Sequence, residues 1–248
     1  MSVLVLLPTF NGALFLREQL NSIFQQEGVS VKIVASDDGS TDGTVAILKE
    51  FDIEILPFKE RLYPSQNVSK LLNRKAPYVA LADQDDVWKK DKLLLSLKKM
   101  KEMEEMFGKN TPLLVHTDLE VVDVDLNRIA PSFFKYSRLN PLPNFKSLLT
   151  KNSVTGCTIL MNEPLVTLAM PIPSEAIMHD WWIALVASAF GKIGVVDKPL
   201  VSYRQHKNNT VGAVSYYNLI KRIKNFFYSK RKKELQKAVF LEKYKGLV

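Results

Sequence analysis

Apolar and polar positions alternate in blocks along the first hundred residues. Val3–Leu7 is a continuous aliphatic run, the pattern of a strand buried on both faces. After Asn11-Gly12 the apolar residues Leu14, Leu16, Leu20, Ile23 and Phe24 take helical spacing. Val31–Ala35 predicts a second buried strand, 41–51 a helix, and Ile53–Leu56 a third, short strand. Residues 57–64 contain two prolines and read as loop. A short helix over Ser65–Asn73 and a fourth strand over Tyr78–Ala82 follow. Residues 89–107 predict a long helix, Lys-rich on one side and Leu/Met-rich on the other. This alternation predicts an α/β fold with a mainly parallel sheet and helices on both faces.

Beyond residue 110 the pattern loosens. Leu113–His116, Leu119–Val122, Cys157–Met161, Ile193–Val196 and Leu200–Tyr203 read as strands. The stretch 126–150 reads as irregular with short helices, and Met178–Phe190 as a helix. From about Ser215 the chain reads as helical and basic. No internal repeat is present. The expected layout is an α/β half over 1–110, a continuous second half over 111–212 and a tail over 213–248.

Composition changes this picture little. Of 248 residues, 46% are hydrophobic and 24% charged, which excludes collagen-like, mucin-like and disordered chains. The single cysteine, Cys157, excludes an internal disulfide and a CxxC metal site, and suits a reducing compartment. No run approaches the roughly 18 apolar residues of a membrane span. The opening segment has no basic stretch and is interrupted by Pro8 and Asn11, so a signal peptide is not expected. Charge is more informative. Residues 219–248 carry ten Lys/Arg and two Glu, the whole of the net +8. The basic character therefore belongs to the tail, which argues against a nucleic-acid-binding body.

Three predicted strands end in polar clusters: Pro8-Thr9-Phe10-Asn11, Asp37-Asp38-Gly39-Ser40 and Asp83-Gln84-Asp85-Asp86. Each cluster alone could be turn and cap chemistry. Three on one sheet edge mark a site, because open α/β sheets bind ligands at the carboxyl ends of their strands. Asp83, Asp85 and Asp86 repel one another, and a divalent cation relieves that repulsion. Oxygen ligands from so few residues suit Mg²⁺ or Mn²⁺ completed by substrate phosphates and water. Neither GxGxxG nor GxxxxGK[ST] occurs, so the dinucleotide and P-loop phosphate cradles are both missing.

These three clusters, with Thr41-Asp42 after the second, resemble the N-terminal signatures of family 2 glycosyltransferases of GT-A fold. Asp83-Gln84-Asp85-Asp86-Val87-Trp88 and Tyr203-Arg204-Gln205-His206, followed by Asn209 and Gly212, look like the rhamnosyltransferase-like subset. The resemblance covers about residues 1–212. It implies a nucleotide-sugar-binding half over 1–110 and an acceptor-side half over 111–212. Pro8, Thr9, Phe10 and Asn11 would line the nucleobase pocket, Asp37 and Asp38 would hold base or ribose, and Asp83 and Gln84 would sit by the donor. Asp85 would ligate the metal, with His206 as a second ligand. Asp180 would be the catalytic base, with His179 its rival and a helix N-cap the plain alternative. Trp181 and Trp182 are acceptor candidates. Being adjacent on a helix, they point in different directions, one suited to the core and the other to a sugar face. One departure stands out: the Gly-rich, Arg-containing segment of relatives reads Tyr63-Pro64-Ser65-Gln66-Asn67-Val68-Ser69-Lys70 here, with Lys70 as the Arg substitute.

The resemblance implies an inverting, metal-dependent transferase. It would move L-rhamnose from dTDP-rhamnose to a lipid-linked saccharide in cell-surface polysaccharide synthesis, without nucleic acid. The alternatives are a UDP-hexose donor and a non-catalytic nucleotide-sugar-binding module. A nucleotidyltransferase would want a Gly-rich basic loop that Pro8–Gly12 does not supply. In the tail, Tyr216, Leu219, Ile220, Ile223, Phe226 and Phe227 recur at helical spacing among lysines and arginines. Residues 216–245 are expected either to lie on an anionic membrane surface or to pack on the domain. The first option would place the protein in the cytoplasm, on the inner face of the membrane.

Overall fold

A computed structural model describes residues 1–207, 209, 212–213 and 232–245. Its centre is a nine-stranded sheet in the order β3-β2-β1-β4-β8-β6-β9-β5, with β7 paired to β6. The strands are β1 (Ser2–Thr9), β2 (Ser30–Asp37), β3 (Glu54–Ile55), β4 (Tyr78–Leu81), β5 (Val87–Trp88), β6 (Leu113–Val122), β7 (Arg128–Ala130), β8 (Leu160–Asn162) and β9 (Lys192–Arg204). β1 pairs in parallel with β2 and β4, β2 with β3, and β6 with β9. β8 is antiparallel to both β4 and β6. It therefore reverses the direction twice, so β6 and β9 run the same way as β1. The carboxyl ends of β1, β2, β4 and β9 consequently meet at one edge of the sheet.

Alternation along each strand builds two cores. Val3, Val5 and Leu7 face α1 (Ala13–Phe24), α2 (Thr44–Glu50) and α4 (Lys92–Phe107). Leu4 and Leu6 face α3 (Tyr63–Leu71), α7 (Glu163–Ala169) and α8 (His179–Phe190). Two short helices, α5 (Phe133–Tyr136) and α6 (Phe145–Leu148), lie in the stretch read as irregular.

The structure differs from the sequence reading at three strands. The two strands expected over 113–122 are one, and so are the two expected over 193–203. The β6–β9 register shifts where Asp118 opposes Pro199, which has no N–H to give to the ladder. The break in each pattern is thus an irregularity inside a continuous strand. Cys157 lies in a 3₁₀ turn, Gly156–Thr158, and the strand begins only at Leu160.

The basic tail enters the described residues at 232–243, which are helical. Phe240 and Tyr244 are buried in the core against Trp182. Here the apolar face is spent on the domain. The amphipathic run from Tyr216 to Phe227 lies outside the described residues.

His116, on β6, is fully buried, and its Nε2 donates to the Pro141 carbonyl at 2.7 Å. Burial pushes its pKa from 6.5 down to about 4. Between those values the unfolded chain binds a proton that the folded chain refuses. The His116 contribution to stability is therefore complete above pH 6.5 and lost as pH falls towards 4. A difference of this size is worth roughly 3 kcal/mol. Replacing His116 with Gln keeps an N–H donor and does not titrate. Urea unfolding of wild type and His116→Gln across pH 4–7 should show the variant gaining about 3 kcal/mol relative to wild type at the acid end.

Candidate active site

The polar sheet edge opens into a cavity of about 1020 Å³. A shallower recess of about 510 Å³ lies at the opposite ends of β1 and β2 and holds none of the acidic strand-end clusters. Pro8, Thr9, Phe10, Asn11, Asp38, Asp83, Gln84, Asp85, Asp180, Trp181 and His206 all line the large cavity. Asp37 and Trp182 do not.

The first wall is built by hydrogen bonds between strand ends. Asp37 is buried, and its carboxylate accepts from the Thr9 and Ser40 hydroxyls and from the backbone N–H groups of Gly39 and Ser40. Four donors from the turn and from Thr9 on β1 take up the carboxylate, so Asp37 holds the loop to the strand end and does not line the cavity. Asp38 does face the cavity. Its carboxylate accepts from the N–H groups of Leu62 and Tyr63 at 2.6 and 2.8 Å. That bond pair carries Arg61 to the rim, where its guanidinium lies 4.0 Å from the centre of the Phe10 ring. Arg61, not Lys70, is the cation of this wall. Lys70 points away and donates to the Pro57 carbonyl at 2.7 Å. Gln84 reaches back and pairs with both the N–H and the carbonyl of Phe10 at 2.9 Å each. A Cβ on Gly12 would stand 2.2 Å from Gln84 Oε1, so a side chain there would push the Gln84 amide off Phe10. Asn11 holds the two loops together by accepting from the Thr41 N–H at 2.9 Å.

The floor is acidic. His206, delivered by the end of β9, places Nε2 2.7 Å from Asp85 Oδ2. The Phe15 ring lies 4.9 Å from the imidazole. Burial, then the charges of Asp85 and Asp180, pushes the Asp83 carboxyl up to about 7. Asp83, Asp85 and Asp180 line the same cavity. Asp83, Asp86 and Cys157 also lie within 4.8 Å of one another. Asp86 and Cys157, however, are fully buried below the floor, with the Lys92 ammonium beside them. Asp85 and His206 face the cavity and are a second pair that could hold a metal.

The far wall comes from the second half. Asp180 sits in the first turn of α8, and its Oδ1 accepts from the Trp181 N–H at 2.6 Å. Burial raises its pKa, offset by the His179 charge and by bonds from Trp181, Gly156 and Asn152. His179 is buried, which lowers its pKa, and its Nδ1 has no partner among the described residues. Trp181 lines the cavity and donates from its indole to the Leu148 carbonyl. Trp182 is wholly buried and donates to the Ala169 carbonyl at 3.0 Å. Of the two acceptor candidates, Trp182 is therefore a core residue, its direction fixed by the 100° step between neighbours on a helix.

Residues 4–111 match the family model described as glycosyl transferase family 2. This first part of the chain is thus similar to glycosyltransferase family 2. It is 28% identical over 261 residues to the dTDP-rhamnosyl transferase RfbG of Shigella flexneri, covering 94% of this chain and 84% of that one. It is 27% identical to TuaG of Bacillus subtilis, named as a glycosyltransferase of teichuronic acid biosynthesis, over 84% of this chain and 80% of that one. The fold is shared with S. aureus TarS, at a TM-score of 0.64, 18% identity and 82% of this chain. It is also shared with the mannosyltransferase PcManGT of Pyrobaculum calidifontis, at 0.60, 16% and 85%. This chain spans 60% and 58% of those two solved chains. The expected GT-A architecture is thus present.

Several residues of this transferase that position the site escaped the sequence reading. Gln19 donates to the Asp83 carbonyl, the Ser22 hydroxyl accepts from the Trp88 N–H, and Gln26 bonds the Lys89 carbonyl and the Leu93 N–H. Gln19 and Ser22, three apart on the inner face of α1, with Gln26 just past its end, were the available signal. Arg204 is buried and joins Asp85, Val124 and Glu18. Arg204→Met leaves those carbonyls without their charged donor. It should cost roughly 3–6 kcal/mol, since two carbonyls lose bonds from a charged group that are worth roughly 1.5–3 kcal/mol each. Urea denaturation with an unchanged m-value checks it.

Proposed function

We propose that this glycosyltransferase moves L-rhamnose from dTDP-rhamnose to a lipid-linked saccharide in cell-surface polysaccharide synthesis, with inversion at the anomeric carbon. One observation carries the reaction type: Asp180 and the Asp83/Asp85 pair line a single desolvated cavity, on walls contributed by the two halves of the chain. The donor sugar rests on the full-length similarity to RfbG, and the pathway on RfbG and TuaG together.

Residues 1–110 then form the donor half and 111–212 the acceptor half. Pro8, Thr9, Phe10, Asn11 and Asp38 surround the nucleobase and ribose, with Arg61 closing over Phe10. Asp85 and His206 hold a divalent cation, and Asp83 lies beside it. Carboxylate oxygens suit Mg²⁺ or Mn²⁺, and the imidazole nitrogen favours Mn²⁺. PcManGT was solved with GDP-mannose and Mn²⁺. When bound, the ion would neutralise charge on the leaving diphosphate.

The acceptor oxygen bonds to the anomeric carbon as the bond from that carbon to the phosphate oxygen breaks. The electron pair leaves with the nucleoside diphosphate, and the acceptor proton passes to Asp180. Burial suits Asp180 to this, because it makes the carboxylate a stronger base. Gly156 leaves room at this point: a Cβ there would lie 3.1 Å from His179 Nε2 and 3.6 Å from Asp180 Cβ. The basic sequence from Tyr216 to Arg231 is the segment we assign to an anionic membrane surface. No helix among the described residues is long and apolar enough to cross a membrane.

Two variants separate donor binding from chemistry. With Mn²⁺, dTDP at about 100 times its Kd should stabilise the wild type by about 2.7 kcal/mol in thermal unfolding. Asp85→Ala should lose that gain. A gain with UDP and none with dTDP would replace the donor and keep the reaction. Asp180→Asn should keep the nucleotide gain and lower kcat by about 100- to 10,000-fold. Retention of turnover in Asp180→Asn would remove it as the base.

A further inference from the structure

The C-terminal helix does more than cover the core. Gln236, buried, accepts through Oε1 from the Ile177 N–H at 2.8 Å. Tyr244 donates to the Leu168 carbonyl at 2.8 Å, and Phe240 is wholly buried. These anchors flank the loop that leads into α8, which carries Asp180 and Trp181. The helix is therefore fixed beside the far wall of the cavity, and it adds Lys233 to that wall.

Lys233 differs from its neighbours on the helix. Lys232, Lys237 and Lys245 are exposed, whereas Lys233 and Lys243 are half-buried, and Lys243 donates to the Ala169 and Pro171 carbonyls. The Lys233 Nζ lies 5.9 Å from the centre of the Trp181 ring, at the outer limit of a cation–π contact. No hydrogen bond or ion pair to it is found among the described residues. Burial lowers its pKa, and no neighbouring carboxylate acts to raise it. A partly desolvated cation without a counter-charge is costly. Ser153 on the same cavity wall has a buried hydroxyl that is likewise without a partner. The wall thus offers a cation and a hydroxyl, and it lies on the Asp180 side, away from Asp85 and His206.

We propose that Lys233 binds a phosphate group of the acceptor, so that the C-terminal helix is part of the acceptor site and the acceptor saccharide is a phosphoester. This rests on the reading of the Trp181–Asp180 wall as the acceptor side. A phosphate is chosen over a carboxylate because lysine presents a point charge with rotatable donors. The planar carboxylate is matched best by the fork of an arginine.

The full chain is first titrated with dTDP and with UDP, each with Mn²⁺, so that the donor end is filled by whichever binds. If neither binds, the glycosyltransfer reading of the site fails, and this proposal fails with it. The filled protein is then titrated calorimetrically with glucose 1-phosphate, methyl glucoside and methyl glucuronide. The expected result is binding of the phosphate at least tenfold tighter than of the other two. Lys233→Gln should erase that preference and Lys233→Arg should retain most of it. Nucleotide affinity, unchanged in both variants, reports that the fold is intact. Undetectable phosphate binding at 10 mM, equal binding of the three probes, a preference for the glucuronide, or a preference surviving in Lys233→Gln would each overturn the proposal while leaving the donor site standing.

Discussion

Arg204 is the residue on which the site depends. Its N–H donates to Asp86 Oδ1, its Nε to the Asp85 carbonyl, and its guanidinium to the Val124 carbonyl and the Glu18 carboxylate. One buried cation therefore joins the acidic loop after β4, the end of β6, the helix α1 and the end of β9. More than a hundred residues of chain separate Arg204 from the acidic loop in sequence. Together with the β5–β9 pairing of Val87 to Ser202, this junction sets the end of β9 against the acidic loop, where His206 meets Asp85. The Phe15 ring, 4.5 Å from the guanidinium and 4.9 Å from the imidazole, seals the junction from water. In that drier setting each hydrogen bond is worth more and each missing one costs more.

The site also stores electrostatic tension. Asp83, Asp86 and Asp180 all have raised pKa values, with burial the first cause in each. Below the floor, Lys92 is wholly buried 3.6 Å from the Trp88 ring centre, with no hydrogen-bond partner among the described residues. Burial lowers its pKa to about 7, opposed by the Cys157 and Asp86 charges. Buried carboxylates and a buried ammonium are arranged around one loop, at a cost the two large apolar cores offset. Crowded carboxylates facing a cavity are what a cation and a diphosphate would relieve, and charge clusters of this kind concentrate at functional sites.

Much of the first half was legible in the chain. Val3–Leu7, Val31–Ala35 and Tyr78–Ala82 are aliphatic runs that have no other stable place than a central parallel sheet. Their polar ends marked the site edge, because that is where parallel strands leave ligands room. The second half was harder for a physical reason. Asp118 opposite Pro199 breaks the ladder inside β6 and β9, so each strand looked like two. The antiparallel β8 is only three residues long, and the apolar run read as strand begins inside the 3₁₀ turn that precedes it. Roles within the acidic clusters were also not legible. Asp37 and Asp38 are adjacent and chemically alike, yet the first is spent inside its turn and the second faces the cavity.

The sequence by itself determined the fold class, the acidic edge and the family, because these depend on local periodicity and on short, ordered motifs. Tertiary structure alone decided which side chains share the cavity. It paired His206 with Asp85, brought Arg61 to Phe10 in place of Lys70, sent Trp182 into the core and set Lys233 beside Trp181. Each of these is a contact between segments far apart in sequence. Such contacts are fixed by the order of strands in the sheet and by the space left between helices, and no local pattern of residues encodes either.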